Sequence, residues 1–424
     1  MRFRIGLTIF LLAGLVSSFV LFLFATGILT RVSTFTIIIS DSSDINLPPK
    51  TLVVSSPTSS KLGTGFTDIP PQSPLANPPE IIKAIYATSW SAGSKTKMDY
   101  LIDLIAKTEL NAIVIDVKDF SGFITYDTTL PQVLEYGARE IRIGKINSLV
   151  KRLHDEGIYV IGRVSVFQDE RLATARPDLA AVSSTTQTIW HDRKGLPWID
   201  PNSKDAWDYN IAIAKDALAR GFDEINFDYI RFASDGNLKD IVYPHWDGKT
   251  FHATVIHNFW KYVREQIPDR PISADLFGLT TVNYDDLGIG QKLENAIPYF
   301  DAIAPMVYPS HYYPGSFGLQ KPALYPYEVV KKSMDVAVTR LIEKSRQVTG
   351  NFSTTTPVIP ISTFRPWLQD FNLGADYTAE MVRAQIQATY DATADYPGTL
   401  SGWMLWNPSN NYTKGALLGP EAEE

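Results

Sequence analysis

Gly221-Phe-Asp-Glu-Ile-Asn-Phe-Asp-Tyr-Ile-Arg-Phe232 reads as a β-strand in which polar residues alternate with apolar ones. With a side-chain period of two, Glu224, Asn226 and Asp228 share one face, and Ile225, Phe227 and Tyr229 share the other. Burying three such polar groups in a row is costly unless each is paired or solvated. A strand of this kind fits best where it opens into a polar, ligand-binding cleft. Asp228 and Arg231 then stand at the open end, and Glu224 lies deeper, where a structural ion pair suits it better than catalysis.

Outward from that strand, from Pro79 onward, short β-rich runs alternate with amphipathic helical patterns, the signature of βα units around a parallel sheet. The strand runs are Ile81 to Trp90, Ala112 to Lys118, Tyr159 to Phe167, Glu224 to Phe232, Ile272 to Phe277, Ala302 to Tyr308, Val358 to Phe364 and Ser401 to Trp406. Helical patterns near Lys95 to Lys107, Lys145 to Glu156, Lys204 to Arg220, Phe251 to Gln266, Gly290 to Ile297, Tyr327 to Arg346 and Ala379 to Tyr390 separate them. Eight strands with helices between them predict an α/β fold, the (β/α)8 TIM-type barrel. An open doubly wound sheet is the competing architecture. It lacks support because Gly288-Ile-Gly290 is no dinucleotide fingerprint and no Walker-type lysine appears.

In such a barrel the chemistry sits at the carboxyl ends of the strands. Asp116, Lys118 and Asp119 fall there on the second strand, Arg163 on the third, Asp228 and Arg231 on the fourth, and Asp275 on the fifth. Tyr308 and His311 follow the sixth, Arg365, Trp367 and Gln369 the seventh, and Trp403, Trp406 and Asn407 the eighth. Each residue alone has a structural reading, since Asp after a strand often caps a helix and Arg often pairs with it. Together they suggest two-carboxylate glycoside chemistry, with one carboxyl group as nucleophile or base and the other as acid. Asp228 is the first choice for nucleophile or base, with Arg231 and Asn226 as neighbours that would keep it ionised. Asp275 is the choice for the acid, and Asp116 and Asp119 are rivals for either role. Asp116 has an equal claim to be an internal partner of Lys118 or Arg163. Lys118, Arg163, Arg231, Tyr308, His311, Arg365, Gln369 and Asn407 are candidate substrate contacts, and Trp367, Trp403 and Trp406 are candidate stacking platforms for sugar faces.

Other chemistries find less in the sequence. The six histidines form neither H-x-H nor H-E-x-x-H. The run Asn283-Tyr-Asp-Asp286 is too short for a calcium loop, so no metal is expected. No G-x-S-x-G elbow is present, and no cofactor is implied. Cysteine is absent, which removes disulfides, thiolate metal sites and a cysteine nucleophile. A net charge of −7 without a basic patch argues against nucleic acid as a partner.

The amino terminus carries a different signal. Ile5 to Leu29 is free of charge and, as a helix, would span a hydrocarbon core of about 30 Å. Arg2 and Arg4 precede it, so the positive-inside bias predicts a cytoplasmic amino terminus and an extracytoplasmic barrel. An uncleaved anchor fits the length of the run better than a signal peptide, whose apolar region is about 7 to 15 residues. Secretion after cleavage is the alternative. The expected organisation is an anchor over 1–31, a flexible Ser/Thr/Pro-rich linker over 32–79, the barrel over 80–413 and a tail over 414–424.

Six ordered motifs resemble those of the bacterial putative glycosyl hydrolase domain family. They are Ile113-Val-Ile-Asp-Val-Lys-Asp119, Tyr159-Val-Ile-Gly-Arg163, the Gly221 to Phe232 stretch, Ala274-Asp-Leu-Phe-Gly278, Pro305-Met-Val-Tyr-Pro-Ser-His311 and Arg365-Pro-Trp-Leu-Gln-Asp370. The likeness runs from about Lys83 to Tyr412 and implies a TIM-type glycosidase barrel exported to the envelope. It departs at Ala233, where the resemblance implies proline, a change that bears on loop stiffness and spares the carboxylates. It supplies no catalytic pair, so the roles given to Asp228 and Asp275 rest on strand position. The function expected is that of a membrane-anchored glycosidase or transglycosylase acting on an envelope or extracellular polysaccharide. The alternative is a catalytically silent, glycan-binding barrel.

Overall fold

The computed structural model describes residues 67–350 and 359–420. The apolar run Ile5 to Leu29 and the first part of the linker lie outside the described residues, as does Val358, the expected start of the seventh strand. Among the described residues no helix is long and apolar enough to cross a membrane.

Eight parallel strands among the described residues close into a barrel. They are β1 (Ile82–Ala87), β2 (Ala112–Lys118), β3 (Tyr159–Ser165), β4 (Glu224–Asp228), β5 (Ile272–Phe277), β6 (Ala302–Met306), β7 (Trp367–Gln369) and β8 (Gly402–Trp406). Each pairs with its neighbour in chain order, and β1 pairs with both β2 and β8, through Ala84 with Ala112 and Ile82 with Gly402. That last pairing needs glycine. Gly402 has φ +121°, and a Cβ there would stand 1.8 Å from the Ile82 carbonyl oxygen.

The seventh strand is interrupted. Thr363–Phe364 pairs with Ala302 and Ile303, and the ladder resumes at Trp367, which pairs with Met306. Pro366 lies at the break and has no N–H to give to a ladder. The fourth strand stops at Asp228, four residues short of the expected Phe232, because Tyr229 takes a left-handed conformation with φ 53°.

Helices α1 (Lys95–Ala106), α2 (Ile146–Asp155), α3 (Lys204–Ala219), α4 (His252–Gln266), α5 (Leu293–Ala296), α6 (Pro326–Thr349) and α7 (Ala379–Thr393) occupy the predicted connections. Ser94, Ser203 and Thr378 cap α1, α3 and α7 by accepting backbone N–H groups of the first turn. Outward residues such as Ile113, Ile225 and Phe227 pack under the helices, whereas Ala84, Val114, Ile161, Ala304 and Met404 fill the barrel interior. In the lower interior Arg365 donates to both Glu224 oxygens at 2.9 Å, and Ser273 and Tyr159 donate to the same carboxylate.

Part of the expected linker is fixed. Asp68 accepts the Asn147 and Ser148 N–H groups at the start of α2, which has no side-chain cap of its own. Further along, Gln72 N–H donates to the Arg220 carbonyl after α3, and Leu75 N–H donates to Asp223. Residues 68–72 thus lie along the outside of the barrel, and Leu75 packs against its interior cluster. The favourable place for a carboxylate at a helix amino terminus explains why this polar stretch does not stay loose.

Candidate active site

At the carboxyl end of the barrel, Arg163 of β3 sits between two carboxylates. Its Nη1 donates to Asp116 at 2.7 Å and its Nη2 to Asp228 at 2.5 Å. Burial lowers the pKa of Arg163, but the charges of Asp228 and Asp116 outweigh it and raise it well above the ordinary arginine value. Burial pushes the Asp116 carboxyl up, against the opposing effects of Arg163 and the Tyr86 hydroxyl that donates to it at 2.5 Å. Above the guanidinium lies the half-buried Trp406 ring, 5.2 Å away and stacked on Tyr86.

Asp275 of β5 lies beside this pair and is 1% exposed. Its Oδ1 accepts from Asn226 at 2.8 Å and Trp367 at 2.7 Å, and its Oδ2 is 3.8 Å from Arg163 Nε. Burial raises its pKa well above the ordinary carboxylate value, and the charge of Asp228 adds to that.

Asp228 differs in its access. It borders a cavity of about 400 Å³ that opens over the β4 and β5 ends and is also lined by Arg231, Asp235, Phe277, Met306 and His311. The turn that presents it is strained: Tyr229, the next residue, has φ 53° and gives its N–H to Asp228 Oδ1 at 2.5 Å. A non-glycine residue held there costs on the order of 1–3 kcal/mol, a cost that concentrates at functional sites. Gly278, on the far wall, leaves no room for a side chain, since a Cβ would meet the Met306 carbonyl oxygen at 2.4 Å. The upper wall comes from the long connections after β3 and β4, joined by an antiparallel pairing of Val182–Ser183 with Ile241–Val242.

The sequence profile of the putative glycosyl hydrolase domain matches residues 84–412. The chain belongs to that family. The glycoside hydrolase domain of PgaB (BpsB) from Bordetella bronchiseptica is similar in structure, at 13% identity and a TM-score of 0.53, over 80% of this chain and 99% of that one. It supports the fold alone. A hypothetical protein from Ruminiclostridium thermocellum is 38% identical over 48% of this chain and 98% of its own, with a TM-score of 0.42. The α-galactosidase TtGalA from Thermus thermophilus is 11% identical, over 80% of this chain and 60% of that one, with a TM-score of 0.47. No curated protein matches the chain.

In this barrel the residues singled out in the sequence separate into groups. Asp228, Arg231 and His311 border the cavity, and Arg163, Asp116, Asp275 and Tyr308 form the buried layer beneath its mouth. The neighbours of Asp228 differ from expectation: Arg163 pairs with it, Asn226 turns to Asp275, and Arg231 points to the Phe232 carbonyl and Ser234. Arg365 does not reach the cavity, because it is spent on Glu224 below. Lys118 is fully buried, its ammonium held by Asp169 and Asn210 at 2.6 Å each. Asp119 is held by Arg142 and Ser121.

Trp367 is fully buried and gives its N–H to Asp275, so it offers no face to a sugar. Trp403 faces the helix layer and donates to the Tyr390 hydroxyl of α7 at 3.0 Å. Gln369 ties the loop after β6 through the Ser310 N–H, and Asn407 donates to the Asp370 and Asn411 carbonyls, so both serve the scaffold. Lys194, Tyr229, Asp235, Phe277 and Tyr313 border the cavity and were missed. Asp235, in Ser234-Asp235-Gly236 just past the decisive strand, was the one within reach of sequence reasoning.

Proposed function

We propose that the protein is a glycosidase in which Asp228 acts at the anomeric carbon, directly or through water, and a second carboxyl group protonates the leaving oxygen. The observation that carries this reading is the presentation of Asp228: it is paired with a buried arginine, set on a strained turn, and open to a cavity at the catalytic end of the barrel. Asp235 is the other carboxyl on that cavity wall and takes the role of proton donor. Asp275, chosen for that role from strand order, lies beside Asp228 without a face on the cavity, held by Asn226 and Trp367.

The substrate in this reading is an envelope or extracellular polysaccharide, and the barrel acts outside the cytoplasm, attached through the Ile5 to Leu29 run. Sequence supports the placement: the charge-free run follows Arg2 and Arg4. Protease digestion of intact cells should degrade the barrel domain, and a protected domain would refute export.

Hydrolysis of a polysaccharide panel by the purified protein tests the activity. Asp228→Asn is expected to lower kcat by about 10³-fold or more while glycan binding persists. Binding without turnover in the unaltered protein would favour the silent, glycan-organising barrel.

A further inference from the structure

Arg231 stands out among the buried cations. It is 7% exposed, yet among the described residues no carboxylate lies within salt-bridge distance of it. Its polar contacts are the Phe232 carbonyl at 3.0 Å and the Ser234 hydroxyl at 3.1 Å, both from Nη1. Aromatic rings make up much of its surroundings: Trp198 at 4.5 Å, Phe277 at 4.6 Å and Tyr229 at 5.4 Å from the guanidinium carbon. Burial pulls its pKa below the ordinary arginine value, and the more distant Tyr229, Asp228 and Asp235 do not restore it. A guanidinium does not escape this cost by losing its proton in practice, so the penalty persists until an anion arrives.

The cavity wall places this cation where a ligand can reach it. Arg231 lines the same space as Asp228, and exposed Lys194 stands on its rim. Phe277, Met306 and Tyr313 give the space apolar surface suited to a sugar ring. One buried guanidinium balances one negative charge, and its planar fork matches a carboxylate in two parallel hydrogen bonds. A dianionic phosphate would bring more charge beside Asp228 than a single guanidinium offsets.

We propose that the cavity binds an acidic sugar whose carboxylate is received by Arg231, so that the glycan recognised is one containing uronic acid residues. This rests on the glycosidase reading for its consequence, but binding alone tests it. Oligogalacturonate and oligoglucuronate, each beside its carboxyl-reduced counterpart, are titrated calorimetrically into the full chain and its variants. At least one acidic oligomer should bind about tenfold or more tightly than its reduced form. Arg231→Gln should bring that ratio below about threefold while leaving affinity for the reduced form nearly unchanged, with Arg231→Lys between the two. Lys194→Gln, at an exposed position that does not threaten folding, should weaken acidic binding about twofold to fivefold and shrink its salt dependence. Equal affinity for acidic and reduced forms, no binding of either acidic oligomer, or equal losses for both forms in Arg231→Gln would overturn the proposal. Acid-selective binding without cleavage would count against the glycosidase reading alone, and hydrolysis of neutral glycans without acid preference would count against this proposal alone.

Discussion

Arg163 and Asp228 are joined across β3 and β4 by a 2.5 Å hydrogen-bonded ion pair, and the same guanidinium holds Asp116 on its other side. One cation therefore serves two buried carboxylates.

Arg163→Met leaves Asp116 and Asp228 without their counter-charge in a nearly dry layer. Breaking a buried pair from one side costs about 3–5 kcal/mol. Chemical denaturation should show a loss of that size, and Arg163→Met combined with Asp116→Asn should recover part of it, because one orphaned charge has gone. If the double variant is no more stable than the single one, Asp116 is not ionised beside Arg163.

Much of this layer could be read from the chain, and its limits have physical causes. Alternation along Glu224, Asn226 and Asp228 is a property of any strand, so the inward face of β4 followed from spacing alone. The same rule separates Trp403 from Trp406, three positions apart and hence on opposite faces, although both were expected at the mouth. Tyr229 is different: an aromatic residue after a strand favours more strand, and no local residue preference signals its left-handed turn. Asp275 is in register with Asp228, since Asn226 pairs with Ser273 and Phe227 with Ala274, but strand order does not show that Asn226 and Trp367 close over it. Lys194 and Asp235 reach the cavity through loops whose course depends on the long-range pairing of Val182–Ser183 with Ile241–Val242.

Asp275 sets a pH dependence of stability. Its folded pKa lies above the unfolded value near 3.8, so between those two values the folded state binds the extra proton. Stability from this group is therefore present at low pH and is lost as pH rises from about 3.8 through the folded pKa. Asp275→Asn removes the proton exchange, and its stability should fall less steeply than that of the unaltered protein over the same window. Asp116, Asp200 and Asp370 shift in the same direction and will leave a residual slope. Urea denaturation at a series of pH values, compared between the two proteins, gives the difference directly; parallel curves would mean that Asp275 titrates normally.

Glu224 and Arg365 carry stability without chemistry. Arg365→Met strands the Glu224 carboxylate in the lower interior, at a cost of about 3–5 kcal/mol, whereas Arg365→Met with Glu224→Leu leaves no charge behind and should lie closer to the unaltered protein. Catalysis per folded molecule should change less than twofold in whichever variant folds, since neither residue touches the cavity. Loss of kcat at unchanged fold would instead make this pair part of the machinery.

The proposed division of labour between Asp228 and Asp235 is testable through the leaving group. A proton donor matters most when the departing oxygen is basic, and little when it leaves as a stable phenolate. Asp235→Asn should therefore lose about 10²-fold or more on a natural glycoside but far less on an aryl glycoside with an acidic phenol. Asp228→Asn should lose activity on both, because its part at the anomeric carbon is needed whichever group leaves. Measuring kcat for the two variants on both substrate types separates the roles, and equal losses for Asp235→Asn on both would remove it as the acid. Asp275→Asn supplies the contrast: with no face on the cavity, it should shift the pH profile of both substrates alike and show no leaving-group dependence.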